Sequence, residues 1–429
     1  MAKLCESAVE EMAIEELQCL GYTYISGIDL APDALNPERH SYGDVLLMGR
    51  LQAAMSKLNP VIPADVIQGA ARKLSRIATS NMLADNEEFH LMLVDGVPVE
   101  YRKDGNVKGD FVHVVDFENP LNNEFLVVNQ YTVVQNNNNK RPDVLLFING
   151  IPLVIFELKN PAHENATCHK AYDQLQAYKL AIPGLFTYNE ICIISDGLDA
   201  KVGSLTASYS RFSAWKTKDG IKEAAKFDDE LTTLIHGLCA PATLIDYIQS
   251  FVTYEKTQTE DKTTNIVKVE TVKKIAAYHQ YYAVNKAVEQ TIRASGYSSN
   301  FGLALHEDPE SYGLPSAQNQ PKGDHKAGVI WHTQGAGKSL SMVFYTGKIV
   351  RALNNPTILV INDRNDLDDQ LFDTFAGNSE LLRQPPKQAD SCEELKTLLK
   401  VASGGIVFTT IQKFIPDNNA SVYELLSAR

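Results

Sequence analysis

Apolar residues switch between helical and strand-like spacing along the first half of the chain. Helical spacing predicts three helices, at Leu4–Leu20, Pro63–Ile77 and Cys168–Leu180. Strand-like spacing predicts extended segments at Phe89–Val94, Val97–Tyr101, Phe111–Phe117, Glu124–Val134 and Val144–Leu158. The turn pairs Asp95-Gly96 and Asn149-Gly150 predict hairpins. We therefore expect a mixed sheet flanked by helices in this half of the chain.

The second half of the chain shows a different alternation. Its predicted helices are Val272–Ala294 and Leu340–Leu353, and its predicted strands are Val329–Trp331, Thr357–Ile361 and Ile406–Thr410. Helices that alternate with short apolar strands are typical of a doubly wound α/β domain. The polar segment Thr253–Asn265 lacks apolar periodicity and predicts a linker. We therefore expect domains at residues 1–252 and 266–429, joined by a linker at 253–265.

The segment Arg141–Pro161, RPDVLLFINGIPLVIFELKNP, combines two apolar strands with three candidate catalytic residues. Asp143 begins the first strand, whereas Glu157 and Lys159 lie two residues apart in the second and project from one face. A divalent cation requires converging carboxylates, and a nearby ammonium can orient water and offset charge on a phosphate. We predict that Asp143, Glu157 and Lys159 are catalytic. Asp143, Glu157 and the backbone carbonyl of Leu158 are the predicted ligands of Mg²⁺.

The length of the loop between these strands sets a condition on this metal site. A two-residue turn at Asn149-Gly150 would place Asp143 and Glu157 on opposite faces of the hairpin. A three-residue loop, Ile148–Gly150, would place both carboxylates on one face and Gly150 at a left-handed bulge position. We therefore expect the longer loop.

A helix follows the hairpin and carries Gln174 and Tyr178, whose spacing of four residues places them on one face. We predict that both join the catalytic site. The proline-aspartate, the E-x-K strand and the Q-x-x-x-Y helix together resemble the PD-(D/E)xK nucleases, particularly their RecB-like branch, although each alone also fits an exposed polar face. Glu6 and Glu10 share a face of the first helix. Either a solvated face or a further metal ligand fits this pair, and Glu10 is the candidate ligand.

A second constellation, TQGAGKS, lies between a predicted strand and a predicted helix. Its two glycines let the backbone wrap around a phosphate that faces the helix N-terminus. Lys338 is predicted to reach the β- and γ-phosphates of ATP, and Ser339 to hold its Mg²⁺. The predicted nucleotide-binding residues of this loop are Thr333, Gln334, Gly335, Ala336, Gly337, Lys338 and Ser339.

Further candidates flank the phosphate loop. Gln280 is predicted to read adenine, because its amide can both donate and accept a hydrogen bond. Downstream, Asp363-Arg364 follows a strand, and the hydroxyls of Thr409-Thr410 suit a DNA backbone contact. Turn chemistry at strand ends explains each of these downstream candidates equally well. No D-E-x-H or D-E-x-D motif follows, so we expect an incomplete motor lobe that binds nucleotide weakly.

Composition limits the compartment and the partners. The net charge of −13 argues against a non-specific nucleic-acid coat protein, although an acidic body can carry a local basic groove. No apolar run reaches the roughly 18–20 residues of a membrane span, and the N-terminus lacks the apolar core of a signal peptide. The six scattered cysteines contain no C-x-x-C pair, which favours reduced thiols. We expect a cytoplasmic protein without a membrane partner.

As a whole, the sequence resembles the R (restriction, motor) subunit of type I restriction–modification enzymes, from the first helix to about Thr410. The residues that carry the resemblance are Asn129-Gln130, Arg141-Pro142-Asp143, Asn149-Gly150, Pro152, Glu157–Pro161, Gln174–Tyr178, His279–Tyr281, Trp331–Ser339, Asp363-Arg364 and Leu367-Asp368.

This resemblance implies an α/β chain with a PD-(D/E)xK nuclease domain followed by a partial RecA-like P-loop helicase lobe. It also implies a superfamily 2 translocase that acts on duplex DNA with methyltransferase and specificity subunits, and that uses Mg²⁺ and ATP. By position, Asp143, Glu157 and Lys159 would be the nuclease residues and Lys338 the ATP-binding lysine. Two alternatives stay open: a helicase–nuclease of DNA repair or phage defence, and a non-catalytic assembly fragment.

Overall fold

The computed structural model describes residues 6–77, 81–159, 167–225, 228–261, 266–297, 321–363, 365–401 and 403–413. The chain divides into two compact units, Met1–Gln249 and Ser250–Arg429. This division lies close to the predicted end of the first domain at residue 252.

The first unit contains both helices and strands. Its described helices are α1 (Glu6–Cys19), α2 (Met48–Leu58), α3 (Ala64–Leu74), α4 (Met82–Asp95), α5 (Cys168–Ala181), α6 (Pro183–Phe186), α7 (Glu230–Leu238) and α8 (Pro241–Ser250). Its described strands are β1 (Thr23–Ser26), β2 (Val97–Lys103), β3 (Asn106–Val112), β4 (Phe125–Asn129), β5 (Val133–Gln135), β6 (Asn138–Lys140), β7 (Val144–Ile148), β8 (Ile151–Leu158), β9 (Ile191–Ser195) and β10 (Ala200–Gly203).

A six-stranded mixed sheet forms the centre of this unit, in the order β1-β4-β7-β8-β9-β10. The pairs β1/β4 and β8/β9 are parallel, whereas β4/β7, β7/β8 and β9/β10 are antiparallel. Every residue of β7 and β8 is buried, because helices cover the centre of the sheet. Helix α5 packs on β8 and β9, and α1 contacts β1, β4 and β8. The predicted mixed sheet flanked by helices is therefore present.

The predicted strand Phe89–Val94 is wrong, because these residues belong to α4. The side chain of Asn81 caps this helix by accepting hydrogen bonds from the backbone N–H groups of Leu83 and Ala84. Gly96 ends the helix with a φ of 94°. The pair Asp95-Gly96 is thus a helix end and not a hairpin turn, and β2 pairs with β3 instead.

The second unit alternates helices and strands, but the predicted helix Val272–Ala294 begins only at Tyr278, because residues 272–275 lie in a strand that pairs with residues 252–255. Its described helices are α9 (Tyr278–Ser295), α10 (Lys338–Ala352), α11 (Asn365–Gly377), α12 (Ser379–Leu382) and α13 (Cys392–Leu399). Its described strands are β11 (Val252–Asp261), β12 (Ile266–Ile275), β13 (Ile358–Asn362), β14 (Lys387–Gln388) and β15 (Ile406–Thr410). The last three form a parallel sheet in the order β13-β15-β14.

The predicted linker at 253–265 is wrong where the structure describes it, because residues 253–261 lie in β11. This strand pairs with β12 over its whole length, so the segment belongs to the second unit. Its threonines favour extended backbone, and Glu255 forms an ion pair with Lys274 across the hairpin. The hydroxyl of Thr253 also donates to Asn378 Oδ1 at 2.8 Å. A polar composition therefore concealed a strand pair.

The predicted strand Val329–Trp331 is also not formed. Val329 and Trp331 are 92% and 90% exposed, and this run pairs with no strand in the described part of the second unit. Both edges of β15 are occupied by β13 and β14. An apolar run becomes a strand only where a neighbouring strand satisfies its backbone.

No single helix in the described ranges is long and apolar enough to cross a membrane; α7 and α8 reach that length and composition only as a pair bent by 71°.

Candidate functional site

The turn between β7 and β8 is shorter than predicted. Ile148 pairs with Ile151, which leaves Asn149 and Gly150 as a two-residue turn with φ values of 51° and 81°. Left-handed backbone at both central residues is the geometry that asparagine-glycine favours in such turns. The predicted three-residue loop is therefore wrong.

A β-bulge nevertheless places the two carboxylates on one face of the sheet. Leu153 has no partner in β7, so the register shifts by one residue within the hairpin. Val144 then pairs with Phe156 at the end of the ladder. The residues that come next are Asp143 and Glu157, which consequently lie opposite each other. The bulge therefore places Asp143 and Glu157 on one face, as the predicted three-residue loop would have done.

Glu157 is the most buried charged group of this site, with a side chain 1% exposed. Lys159 Nζ donates to its Oε1 at 2.5 Å, whereas its Oε2 is buried without a hydrogen-bond partner. Burial and the nearby Asp143 carboxylate raise the pKa of Glu157 to about 8, although the ion pair with Lys159 opposes this rise. The site therefore holds two carboxyl groups close together, with the Lys159 ammonium bonded to one of them.

The backbone of Leu158 links the charged residues. Its N–H donates to Asp143 Oδ2 at 2.7 Å. Its carbonyl accepts a hydrogen bond from Lys159 Nζ at 3.1 Å. The structure therefore brings together Asp143, Glu157, Lys159 and the Leu158 carbonyl, as the sequence predicted.

Helix α5 adds Gln174 and Tyr178 to the site. Tyr178 is buried, and its hydroxyl interacts with the Glu157 carboxyl and with the amide of Gln174. The same hydroxyl lies 3.3 Å from the carbonyl oxygen of Arg141, which can accept a hydrogen bond from it. Burial and the Glu157 carboxylate raise the pKa of Tyr178. Tyr178 thus positions the Glu157 carboxyl from α5, and Gln174 in turn contacts the Tyr178 hydroxyl.

Glu10, the predicted additional ligand on α1, has different partners. Its Oε1 accepts hydrogen bonds from Asn129 Nδ2 at 2.6 Å and from Gln130 Nε2 at 3.4 Å. In the described ranges, no three His, Cys, Asp or Glu side chains are placed to hold one metal ion. The structure therefore does not bring Glu10 into a three-carboxylate cluster with Asp143 and Glu157, and the Glu6 side chain lies outside the described residues.

The donor set of the site fits a divalent cation such as Mg²⁺. Two carboxylates and one backbone carbonyl supply hard oxygen ligands. The buried Oε2 of Glu157 lacks a hydrogen-bond partner, and its burial beside Asp143 costs free energy that a cation would offset. These residues fit the ion with Asp143, Glu157 and Leu158 as ligands.

The second predicted site lies at the N-terminus of α10. Gly335 and Gly337 have φ values of 84° and 74°, which glycine adopts without strain. Lys338 begins the helix, and its Nζ donates to the carbonyls of His332 and Thr333 at 3.1 and 2.9 Å. The loop thus curls over the helix N-terminus, where backbone N–H groups favour an anion. Thr333, Gln334, Ala336 and Ser339 lie in the same loop and first helical turn.

Gln280 and His279, at the start of α9, contact this loop directly. Gln280 Nε2 donates to the Gly337 carbonyl at 3.0 Å and lies 3.3 Å from Ser341 Oγ. Its Oε1 accepts from the backbone N–H of Ala277 at 2.9 Å. His279 Nε2 lies 3.1 Å from the carbonyl of Ala336. The Gln280 amide, which was predicted to read adenine, is therefore hydrogen-bonded within the protein. The sequence did not predict the contact of His279 with the loop, because only its position beside Gln280 pointed to it.

Two downstream candidates are not surface groups. Thr409 and Thr410 are 0% and 2% exposed, so their hydroxyls do not face solvent for a DNA contact. The interpretation from sequence missed this because β15 lies between two other strands. Arg364 lies outside the described residues.

Comparisons with known proteins decide the family. The model of the type I restriction enzyme R protein N terminus matches residues 3–211, and the SWI2/SNF2 ATPase model matches residues 279–429. The HindI endonuclease subunit of a type I restriction enzyme from Haemophilus influenzae is 40% identical over 99% of this chain and 38% of its own length. The chain belongs to the type I restriction enzyme R protein family.

A second relative of this family comes from an archaeon. The putative type I restriction enzyme MjaIXP endonuclease subunit of Methanocaldococcus jannaschii is 34% identical over 100% of this chain and 39% of its own length. The chain therefore spans less than two-fifths of the length of these two relatives. The two family models cover both predicted sites, the first through the hairpin and α5, the second through α9 and the phosphate loop. The family assignment made from the sequence is confirmed.

Proposed function

We propose that this chain carries the endonuclease and part of the motor of a type I restriction enzyme. Its first unit would be a PD-(D/E)xK nuclease that hydrolyses duplex DNA with Mg²⁺. Its second unit would belong to a RecA-like lobe that uses ATP to move DNA. The observation that carries the nuclease proposal is the register that places Asp143 opposite Glu157 on one face, with Lys159 bonded to Glu157 at 2.5 Å.

The chemistry of the first unit follows from these contacts. Asp143, Glu157 and the Leu158 carbonyl would hold Mg²⁺, which when bound activates water and offsets charge on the phosphate. Lys159 is fixed between Glu157 and the Leu158 carbonyl, so its ammonium points at the same place as the metal ligands. There it can orient the attacking water and stabilise negative charge on the phosphate. Tyr178 keeps Glu157 in position from α5.

The second unit would bind ATP at the N-terminus of α10. Gly335 and Gly337 shape a loop whose N–H groups face the phosphates. Lys338 would leave its carbonyl partners to reach the β- and γ-phosphates, and Ser339 would bind the accompanying Mg²⁺. Gln280 supports this loop from α9.

The partners follow from the family. Relatives named as endonuclease subunits of type I restriction enzymes imply that other subunits complete the enzyme. We propose methyltransferase and specificity subunits as protein partners and duplex DNA as substrate.

The test uses Asp143→Asn and Glu157→Gln in the subunit assembled with its partners. Cleavage of plasmid DNA with Mg²⁺ and ATP should fall by at least about 100-fold, the scale of losing an electrostatic catalytic group. Asp173→Asn is the control, because Asp173 is exposed on α5 and pairs with His169, another exposed side chain of the same helix. Normal cleavage by both nuclease variants, with intact folding, would refute the assignment.

A further inference from the structure

A hydrogen-bonded chain links β1, β4 and α1 beside the nuclease site. The hydroxyl of Tyr24 donates to Asn129 Oδ1 at 3.0 Å. With its oxygen engaged, the amide of Asn129 directs Nδ2 to Glu10 Oε1, at 2.6 Å. Gln130 Nε2 approaches the same oxygen at 3.4 Å. The Glu10 side chain is buried, so these amides fix one orientation of its carboxylate.

The backbone geometry places this chain next to Asp143. Asn129 pairs with Val144 at the end of the β4/β7 ladder, so the residues that follow on each side are Gln130 and Asp143. Gln130 has a φ of 54°, a left-handed conformation that costs a residue other than glycine about 1 kcal/mol or more. Such strain persists where surrounding contacts require it. This backbone conformation directs the Gln130 amide toward Glu10, where Nε2 lies 3.4 Å from Oε1.

A close approach of the backbone holds β4 in this position. Gly27 N donates to the Asn129 carbonyl at 2.8 Å. A Cβ at Gly27 would lie 2.6 Å from that oxygen, which no side chain tolerates. The end of β1 therefore packs directly on the residues that orient Glu10.

We propose that Tyr24, Asn129 and Gln130 are positioning residues of the nuclease, which hold Glu10 to accept a hydrogen bond from water in the hydration shell of the metal ion. Glu10 acts through water because the described residues form no three-carboxylate cluster. Mg²⁺ binds proteins through one or two carboxylates and keeps several waters, and groups around its ligands change metal affinity about 10- to 100-fold. The proposal rests on the proposed nuclease function.

The test measures Mn²⁺ binding to the purified chain by electron paramagnetic resonance. Tyr24→Phe removes only a hydroxyl from a side chain that is 39% exposed, so folding should be unaffected. Glu10→Gln should weaken Mn²⁺ binding about tenfold, and Tyr24→Phe about threefold or more. Tyr172→Phe is the matched control, because it also removes only a hydroxyl, one that donates to the Ala207 carbonyl, and its affinity should equal that of wild type.

The Mg²⁺ dependence of cleavage is a second measurement, and it distinguishes a positioning role of Tyr24 from a purely structural one. In the assembled enzyme, Tyr24→Phe should raise the Mg²⁺ concentration for half-maximal cleavage by the same factor, with the full rate restored at saturating Mg²⁺. Gln130→Gly retains the left-handed backbone but removes the side-chain amide, so it should raise the required Mg²⁺ concentration as Tyr24→Phe does.

The outcomes separate the two proposals. Wild-type Mn²⁺ affinity in both Tyr24→Phe and Gln130→Gly overturns the positioning role, as does a loss of cleavage that Mg²⁺ does not restore. Undiminished cleavage by both Asp143→Asn and Glu157→Gln overturns the nuclease function itself, whatever the positioning variants do.

Discussion

Asp143 lies opposite Glu157 because the hairpin between them contains a two-residue turn and a bulge at Leu153. A two-residue turn alone would direct the two carboxylates to opposite faces, since side chains alternate along a strand. The bulge inserts one residue into β8 and restores a common face. The proposed metal site consequently depends on a bulge inside a fully buried strand pair.

Lys159→Ala should abolish DNA cleavage in the assembled enzyme and leave ATP hydrolysis unchanged. Loss of its ammonium removes the cation that opposes the raised pKa of Glu157, and it removes the charge that is proposed to face the phosphate. Plasmid cleavage and ATPase rates measured on the same preparation test this. Lys170→Ala, an exposed change on α5, is the control. If a folded Lys159→Ala variant lost ATPase activity together with cleavage, the prediction that the two activities are independent would be wrong.

The raised pKa of Glu157 predicts how metal-free stability depends on pH. The folded chain holds a proton on this carboxyl up to a pKa of about 8, whereas the unfolded chain releases it near 4.5. The resulting stabilisation is fully present below pH 4.5 and is lost as the pH rises through about 8. Its loss is at most about 1.4 kcal/mol per pH unit. Glu157→Gln should therefore gain stability over wild type between pH 5 and pH 8.

Urea unfolding in the presence of a chelator checks this expectation. A difference between Glu157→Gln and wild type that stays constant with pH would contradict it. Mn²⁺ binding to wild type should also strengthen as the pH rises toward 8, because the cation displaces the proton from Glu157.

The sequence predicted which candidate residues lie close together better than it predicted the geometry that joins them. Asp143, Glu157, Lys159 and Tyr178 meet as expected, because an apolar hairpin and the i, i+4 helix spacing leave them few alternative positions. The bulge was not predictable from local pattern, since Leu153 resembles its apolar neighbours in β8. In a strand pair that is buried on both faces, polar and apolar residues do not alternate, so the sequence does not indicate the register.

Tertiary pairing decided the other departures from expectation. Residues 253–261 look like a linker in isolation, but they become a strand through pairing with β12. Conversely, Val329–Trp331 is apolar enough for a strand and yet stays unpaired in the described part of the chain. A partner strand, and not the composition of the segment, determines the outcome in both cases.

Lys338→Ala should weaken ATP binding by about 1.5–3 kcal/mol, the scale of hydrogen bonds to charged groups, or roughly tenfold to 150-fold in Kd. The lysine begins α10 and donates to two carbonyls of the loop that is proposed to bind the phosphates. Titration of the purified chain with a fluorescent ATP analogue measures the change. Lys322→Ala, an exposed lysine of the same unit, should bind as wild type does. Unchanged affinity in Lys338→Ala would remove the loop from the nucleotide site.

Gln280→Glu should weaken ATP and GTP binding by the same factor, about tenfold. In the structure, the Gln280 amide donates to the Gly337 carbonyl at 3.0 Å and accepts from Ala277 N–H at 2.9 Å. A glutamate keeps the acceptor but loses both N–H donors, and a carboxylate facing the Gly337 carbonyl repels it. The loop would then lose the conformation that receives phosphates, whatever base the nucleotide carries. Gln290→Glu, on the same helix, accepts from Arg293 Nε in either form and is the matched control. A loss confined to ATP would instead show that Gln280 leaves the loop to read adenine, as the sequence alone suggested.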